Sequence, residues 1–207
     1  MSRVPAARAQ PRVVPATLDD AIVGRRSIRR YRPDAVPDAL LHEILDLARH
    51  APTSMDGQPC HFVVIRDRAA CARLAAIKVR HCPEDKKAFP CDFLADAPVV
   101  VAVCVDRERS HDRGVENGVL ATAFLLLAAA SRGLGGVYLS AHRDGDPGLA
   151  ADIAALLALP AHVDPIALVP LGYPTTAPVP KALRPLEEIV HDEVFDRAIR
   201  AGGRHAP

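Results

Sequence analysis

Residues 98–107, PVVVAVCVDR, form a near-continuous apolar run with the length of one β-strand. A strand with one face in water alternates between apolar and polar residues, whereas an uninterrupted run is typical of a strand buried on both faces. Residues 111–133, HDRGVENGVLATAFLLLAAASRG, come next and predict a long helix. That helix is apolar on nearly every side, so we expect it in the centre of the protein.

Predicted strands and helices alternate along the chain both before and after these two segments. Further strands are predicted at HFVVIRD (61–67), GGVYLSA (135–141) and VDPIALVPLGYP (163–174). Helices are predicted from Thr17 to about Arg25 and at DALLHEILDLARHA (38–51), RAACARLAAIKVRH (68–81), PGLAADIAALLALP (147–160) and HDEVFDRAIRAGG (191–203). The alternation predicts an α+β or α/β sandwich with a central sheet. We assign this single domain to residues 17–200, with residues 1–16 as a flexible arm and 201–207 as a flexible tail.

The composition limits the classes of partner and compartment. The chain has 207 residues and a net charge of +1, so no global field attracts nucleic acid or an anionic membrane. The longest apolar run is interrupted by Ser131 and Arg132, and no apolar signal segment is visible near the N-terminus, so we expect no membrane span. Five cysteines make an odd count without CxxC spacing, which favours a reducing, cytoplasmic setting.

The segment GRRSIRRYRPDAVP (24–37) concentrates five arginines around one serine in this nearly neutral chain. Arg25, Arg26, Ser27 and Arg29 offer charged donors and a hydroxyl, a set that binds phosphate through charge-assisted hydrogen bonds. A solvated basic loop has the same composition and is the commoner explanation for an isolated arginine run. The segment by itself leaves both interpretations open.

Three other patterns carry no chemistry of their own. GLGG (133–136) follows a predicted helix and precedes a predicted strand, the reverse of a dinucleotide-binding loop, so Gly133 is predicted to end the helix with a positive φ. His81, Cys82 and Cys91 lack the spacing of a compact zinc site. The serines lack the GxSxG context of a hydrolase nucleophile. We therefore predict neither a metal site nor a hydrolase triad.

Five segments in order resemble the nitroreductase family of FMN-dependent oxidoreductases. They are RRSIRRY (25–31), APTSMDGQPCHFVVI (51–65), LLLAAASRGLGGVYLS (125–140), LALPAHVDPIALVPLGYP (157–174) and RPLEEIVH (184–191). The resemblance covers about residues 18–192. It implies an α+β fold, a three-layer α/β/α sandwich around a mixed or antiparallel sheet, and a homodimer that holds one FMN per subunit at its interface.

The resemblance also implies which residues contact FMN. The phosphate and ribityl chain would be bound by the first segment, together with two basic residues near the C-terminus. The loop after the first amphipathic helix would reach the flavin of the other subunit, and the strand after GLGG would line the flavin ring. The implied contacts are Arg25, Arg26, Ser27, Arg29, Lys181 and Arg184 for the phosphate side, Pro52, Thr53, Ser54 and Asp56 for the loop, and Tyr138, Leu139, Ser140 and Ala141 for the ring.

Three positions depart from the family pattern. Asp56 stands where members commonly carry Asn, and Cys60 where they carry Trp. A carboxylate only accepts hydrogen bonds whereas an amide also donates them, so the family's usual tuning of the flavin is not expected to carry over unchanged. Ala182 stands two residues before Arg184, where a second basic residue is frequent, so one phosphate contact is expected to be missing.

The resemblance implies a ping-pong reaction in which a hydride passes from NADH or NADPH to flavin N5 and then to a small nitroaromatic, quinone or enone. The cofactor carries this chemistry, so no side chain is expected to act as acid or base. Two alternatives stay open: a biosynthetic flavin-dependent dehydrogenase or oxidase that uses oxygen, and a flavin-binding subunit without turnover. The irregular residues 79–96 are predicted to cover the site.

Overall fold

The computed structural model describes residues 17–88, 91–177 and 179–198. Its central sheet contains β1 (Cys60–Ile65), β2 (Val99–Asp106), β3 (Gly135–Gly136), β4 (Leu139–Ser140) and β5 (Val163–Gly172). The strand order is β1-β2-β5-β3, and β4 also pairs with β5. Each of these pairings is antiparallel, which confirms the antiparallel form of the predicted sheet.

Five α-helices accompany the sheet in the described ranges: α1 (Leu18–Gly24), α2 (Asp38–Ala48), α3 (Arg68–Arg80), α4 (Gly114–Ser131) and α5 (Pro147–Leu156). The first helix begins where the sequence predicts, because Thr17 and Asp20 form a reciprocal capping box. Gly133 follows α4 with a φ of 74°. The predicted glycine stop after the long helix is therefore confirmed.

Strand β2 lies between two apolar layers, as its uninterrupted apolar sequence predicts. Every residue of β2 is buried. Its odd-numbered residues from Val99 to Val103 pack with α2 and α4, and its even-numbered residues from Val100 to Cys104 pack with α3 and α5. Successive side chains of a strand point to opposite faces, so one strand supplies both layers of the core. The predicted three-layer α/β/α sandwich is confirmed.

Helix α4 corrects the expectation that it is buried on nearly every side. Ala121, Leu125 and Ala129 are buried against the sheet, whereas Val119 and Phe124 are 41% and 38% exposed. The helix is long and apolar enough to meet the length and composition of a membrane span, but it contacts β2, β5 and α2 as a layer of the sandwich. Its second apolar face lies uncovered on the surface of the single chain.

Two other expectations differ from the structure. GGVYLSA forms two short strands rather than one, because the pairing with β5 is interrupted between Gly136 and Leu139. The helix predicted at 191–203 is wrong over 191–198, where the chain makes turns and a bridge between residues 191 and 198. Glu193 and Asp196 have positive φ values of 60° and 64°, which a right-handed helix excludes. The predicted arm and tail lie outside the described residues, so the domain boundaries remain predictions.

Candidate functional site

The arginine segment, residues 25–31, runs beside the edge formed by β3. The Ile28 N–H donates to the Gly136 carbonyl at 3.0 Å, and Ser27 and Gly136 form a parallel bridge. A Cβ placed on Gly135 would lie 2.6 Å from the side chain of Ile28. Only a residue without a side chain lets the two backbones approach this closely. The GLGG motif thus serves to seat the arginine segment on the sheet.

The downstream end of this segment is fixed by a tyrosine. The Tyr31 hydroxyl donates to the Ile28 carbonyl at 2.5 Å and lies 3.2 Å from the Pro170 carbonyl. Burial raises the pKa of Tyr31, so its phenol stays protonated and remains a donor. The Arg32 N–H donates to the Tyr173 carbonyl at 2.8 Å. The backbone between Ser27 and Arg32 is therefore held at both ends.

The four predicted phosphate residues of this segment differ in their contacts. Arg26 is engaged with the backbone: its Nε donates to the Val179 carbonyl at 2.6 Å, and its Nη1 donates to the Val23 and Arg25 carbonyls. The side chains of Arg25, Ser27 and Arg29 make no hydrogen bond or ion pair with any residue that the structure describes. The side chains of Arg25, Ser27 and Arg29 are thus not engaged by any described residue and are available to a ligand. Arg26 instead links the segment to the stretch of chain around Val179.

The two basic residues near the C-terminus lie on that exposed stretch. Arg184 forms an ion pair with Glu188, with 3.1 Å between Nε and Oε2, and its Nη2 donates to the Glu188 carbonyl at 3.3 Å. Lys181 is also exposed. In the described ranges, no hydrogen bond or ion pair links either side chain to the arginine segment. The contact between Arg26 and Val179 nevertheless brings their stretch of chain to that segment.

The predicted ring-lining residues lie around β4. Tyr138, Leu139 and Ser140 are half-buried, and Ala141 is fully buried. The Ala141 N–H donates to the Ile166 carbonyl at 2.9 Å. That amide is therefore committed to the sheet, and only the first three residues offer surface to a ligand.

Lys78 contacts one of the predicted ring-lining residues and was not among the residues that the sequence predicted for the site. Its Nζ donates to the Ser140 carbonyl at 2.6 Å, and burial lowers the pKa of Lys78. Burial raises the pKa of the Cys91 thiol, and the charges of Lys78 and Arg29 partly oppose this shift. A signal was present, because Lys78 continues the helical spacing of the buried Cys71 and Leu74.

The loop that contains Pro52, Thr53, Ser54 and Asp56 connects α2 to β1. It borders a cavity of about 490 Å³ that is also lined by Arg49, His50 and Cys60. No hydrogen bond or ion pair among the described residues joins this loop to the arginine segment.

Cys60 borders the same cavity at the position where the family pattern has Trp. Burial raises the pKa of its thiol to about 11, so the sulfur is uncharged at neutral pH. Its Sγ lies 3.6 Å from the Asn117 carbonyl. Cys60 therefore acts as a small apolar side chain rather than as a nucleophile.

His81 connects α3 to α5 through two carboxylates. Its Nδ1 lies 3.0 Å from Asp146 Oδ2, and its Nε2 lies 2.7 Å from Asp152 Oδ2. Both ring nitrogens thus face carboxylates. Arg80 forms an ion pair with Asp152, and Arg143 forms one with Asp146. Among the residues that the structure describes, no group of three or more histidines, cysteines and acids is placed to hold a metal ion.

Exposed apolar side chains cluster where α1 meets α4. Val119 and Phe124 of α4 are joined by Ile22 and Val23 of α1, which are 52% and 73% exposed. Met55, in the loop after α2, is also exposed. Several large exposed apolar side chains on two helices in contact are typical of an interaction site on a protein. The loop with Met55 and the uncovered face of α4 are both candidates for contact with a partner.

Comparisons with known proteins agree with this architecture. The model of the nitroreductase family matches residues 22–173. The oxygen-insensitive NADPH nitroreductase of Salmonella typhimurium is 31% identical over 182 residues, which cover 85% of this chain and 73% of that protein. The FMN reductase [NAD(P)H] of Bacillus subtilis is 26% identical over 195 residues, which cover 84% of this chain and 73% of that protein.

A solved structure extends the agreement to the fold. The FMN-dependent nitroreductase of Clostridium difficile superposes with a TM-score of 0.73 at 24% identity, and the match covers 86% of this chain and 99% of that one. The residues that the family model matches, 22–173, include the arginine segment, the loop after α2 and the GLGG edge.

Proposed function

This chain belongs to the nitroreductase family, and on that premise we propose that it is an FMN-dependent enzyme that takes electrons from NADH or NADPH. The names of its relatives, an NADPH nitroreductase and an NAD(P)H-linked FMN reductase, support both the cofactor and the donor. Its substrates are small molecules. All five cysteines are free thiols, which supports a reducing, cytoplasmic location as part of the proposal.

The observation that carries this proposal is the seated arginine segment with its free donors. Gly135 leaves no room for a side chain against Ile28, so the position of the segment is fixed before any ligand binds. Arg25, Ser27 and Arg29 then offer two guanidinium groups and a hydroxyl that no described residue uses. Such a set fits the phosphate of FMN, because charge-assisted bonds from Arg are among the strongest that a phosphate accepts.

Bound FMN would supply the redox chemistry by accepting a hydride at N5 and giving it up again. Arg25, Ser27 and Arg29 would neutralise its phosphate. Arg26 holds the backbone together instead, and Arg184 has to leave Glu188 before it can add a contact. Tyr138, Leu139 and Ser140 would border the ring.

Lys78 is placed to assist on the ring side. It is anchored on the carbonyl of Ser140, one of the residues that would border the ring. A cation fixed beside the ring stabilises the negative charge that the flavin gains on reduction. We therefore add Lys78 to the residues that would hold the cofactor.

The acceptor that we propose is a small nitroaromatic, quinone or enone that occupies the place vacated by the nicotinamide. One shared face of the flavin implies a ping-pong order, in which the oxidised nicotinamide leaves before the acceptor enters. No side chain in this scheme transfers a proton at the reacting atom. The protein's part is to position the two substrates in turn and to limit access of water.

We propose a homodimer as the active form. The uncovered apolar face of α1 and α4 would be buried against a second copy, and the loop with Ser54 and Asp56 would then reach the flavin of the partner. Two features of the single chain support this: Val119, Phe124 and Val23 are exposed, and no hydrogen bond or ion pair among the described residues joins the loop to the arginine segment. Burial of apolar surface is the main favourable term in such an association.

Steady-state kinetics test the proposed function. The enzyme with bound FMN is assayed for NADH and NADPH consumption with menadione or a nitroaromatic as the acceptor, at several fixed concentrations of donor. Parallel double-reciprocal lines are expected, because a ping-pong enzyme releases its first product before it binds the second substrate. Intersecting lines would contradict the ping-pong order. Bound flavin without consumption of either nicotinamide would favour the alternative of a biosynthetic dehydrogenase or oxidase.

A further inference from the structure

The loop from Thr53 to Gln58 has an unusual backbone. Met55, Asp56 and Gln58 have positive φ values of 49°, 52° and 47°. Residues with a side chain rarely adopt this left-handed region, because Cβ crowds the backbone there. Three such residues within one short loop persist only if contacts from outside the loop hold them.

Asn117 of α4 supplies one of these contacts from the buried side. Its Oδ1 accepts the N–H of Ser54 at 3.0 Å, and its Nδ2 donates to the Ser110 carbonyl at 3.2 Å. The side chain is only 2% exposed. Since one end of the amide faces a donor and the other faces an acceptor, its orientation is fixed. The Ser54 amide is thereby held to a rigid helix of the sandwich.

Arg109 supplies a second contact from the surface. Its Nε donates to the Gly57 carbonyl at 3.0 Å. A Cβ on Gly57 would lie 2.1 Å from the Arg109 carbonyl, so the two stretches of backbone are in direct contact. Both holding residues belong to the connection from β2 into α4 or to the start of α4. Asp56 lies between the two held positions, Ser54 and Gly57.

We propose that Asn117 is a positioning residue that fixes this loop, and with it Asp56, in the orientation in which Asp56 faces the flavin of the partner subunit. The proposal rests on the proposed function, because the flavin gives the loop its role. The carboxylate of Asp56 lowers the potential of a flavin next to it, since negative charge opposes reduction. Release of the loop lets this carboxylate move into water and removes that effect.

The test compares Asn117→Leu with Thr122→Val. Both substitutions remove a buried hydrogen bond of α4, but the Thr122 hydroxyl donates only to the Gly118 carbonyl of its own helix. Hydrogen–deuterium exchange of residues 53–58 is measured without added cofactor. Asn117→Leu is expected to speed exchange of the Ser54 amide at least tenfold, whereas Thr122→Val leaves that amide at the wild-type rate.

The second readout is the midpoint potential of bound FMN. In Asn117→Leu, reduced FMN is expected to bind at least tenfold more tightly relative to oxidised FMN than it does in the wild type. A tenfold change in this ratio raises the two-electron potential of the bound flavin by about 30 mV. A merely structural role would lower thermal stability in both variants and leave the potential unchanged. Arg109→Gln removes the surface contact without a buried substitution, and a smaller shift in the same direction is expected.

Three outcomes separate the hypotheses. Equal Ser54 exchange in wild type, Asn117→Leu and Arg109→Gln would overturn the proposal that these residues hold the loop. Faster exchange with an unmoved potential would overturn the positioning role. Failure of the wild-type protein to bind FMN would overturn the proposed function, while the exchange experiment, which needs no cofactor, would still report whether Asn117 holds the loop.

Discussion

Gly135→Ala tests whether the arginine segment must sit on the sheet edge to bind FMN. The new Cβ would lie 2.6 to 2.9 Å from three atoms of Ile28, one of which is its Cβ. Carbon atoms in contact stay about 3.5 to 4.0 Å apart, so the two backbones must separate by roughly 1 Å. Rotation of the Ile28 side chain does not relieve this contact, since its Cβ is fixed to the backbone.

The expected magnitude follows from the cost of overpacking. Inserting a methyl group into a filled site costs about 1 to 3 kcal/mol. The separation displaces Ser27 and Arg29, whose positions are set by the bond from the Ile28 N–H to the Gly136 carbonyl. If this cost falls on cofactor binding, the dissociation constant of FMN rises roughly 5- to 160-fold.

The assay is a fluorescence titration of FMN into apoprotein, with thermal unfolding measured on the same samples. Gly24→Ala is the matched control, because no atom lies within 4 Å of a Cβ at Gly24. It is expected to leave the FMN dissociation constant unchanged. A Gly135→Ala protein that unfolds at a lower temperature but binds FMN with the wild-type constant would refute the assignment of the phosphate to this segment.

Four further predictions concern phosphate binding, the flavin potential, pH and association. Arg29→Ala is expected to weaken FMN binding by about 1.5 to 3 kcal/mol, the value of one charge-assisted hydrogen bond. The control Arg30→Ala is expected to leave FMN binding unchanged. Equal losses of affinity in the two variants would indicate a general effect of positive charge instead of a direct contact. Asp56→Asn removes a negative charge and is expected to raise the flavin potential, and an unmoved potential in a spectroelectrochemical titration would show that Asp56 does not face the ring. Hydrogen bonds from His81 and Arg80 lower the pKa of Asp152. The stability that this carboxylate adds is therefore fully present above the ordinary Asp pKa of about 3.9 and is lost as the pH falls through the lowered pKa. The gap in unfolding temperature between wild type and Asp152→Asn should therefore shrink in that acid range, and a constant gap would contradict this. Phe124→Glu on the uncovered face of α4 is expected to shift the protein from dimer to monomer in analytical ultracentrifugation, and an unchanged mass would place the interface elsewhere.

Most of the fold could be predicted from residue patterns alone. The uninterrupted apolar run of β2 requires cover on both faces, and the helical spacing in α2 and the capping residues of α1 are local signals. The closing helix was predicted from composition, and the positive φ values of Glu193 and Asp196, which no local pattern reveals, exclude it.

Long helix α4 illustrates a different limit. An all-apolar pattern does not distinguish a helix buried within one chain from a helix that a second chain covers, because both remove the same surface from water. Its exposed Val119 and Phe124 became visible only when the position of the sheet was known.

The candidate site was predicted unevenly. The arginine segment and the GLGG edge are separated by about a hundred residues, and their contact depends on the order of strands in the sheet. Composition could not show that Arg26 binds backbone carbonyls while no described residue bonds to the side chains of Arg25 and Arg29. Lys78 was open to prediction, since a lysine at a core-facing helical position needs a buried partner. The hydrogen bond from the Ser54 N–H to Asn117 joins distant parts of the chain, and no pattern in the neighbouring sequence predicts it.

The most direct test of the central claim is the visible absorbance spectrum of the FMN-loaded protein during anaerobic titration with NADH and then with NADPH. The flavin bands are expected to bleach with one donor or both, at one equivalent of nicotinamide per flavin, and to return when a quinone is added. Bound flavin that neither nicotinamide reduces would contradict the proposed donor. A protein that binds no FMN would contradict the assignment of the arginine segment to its phosphate.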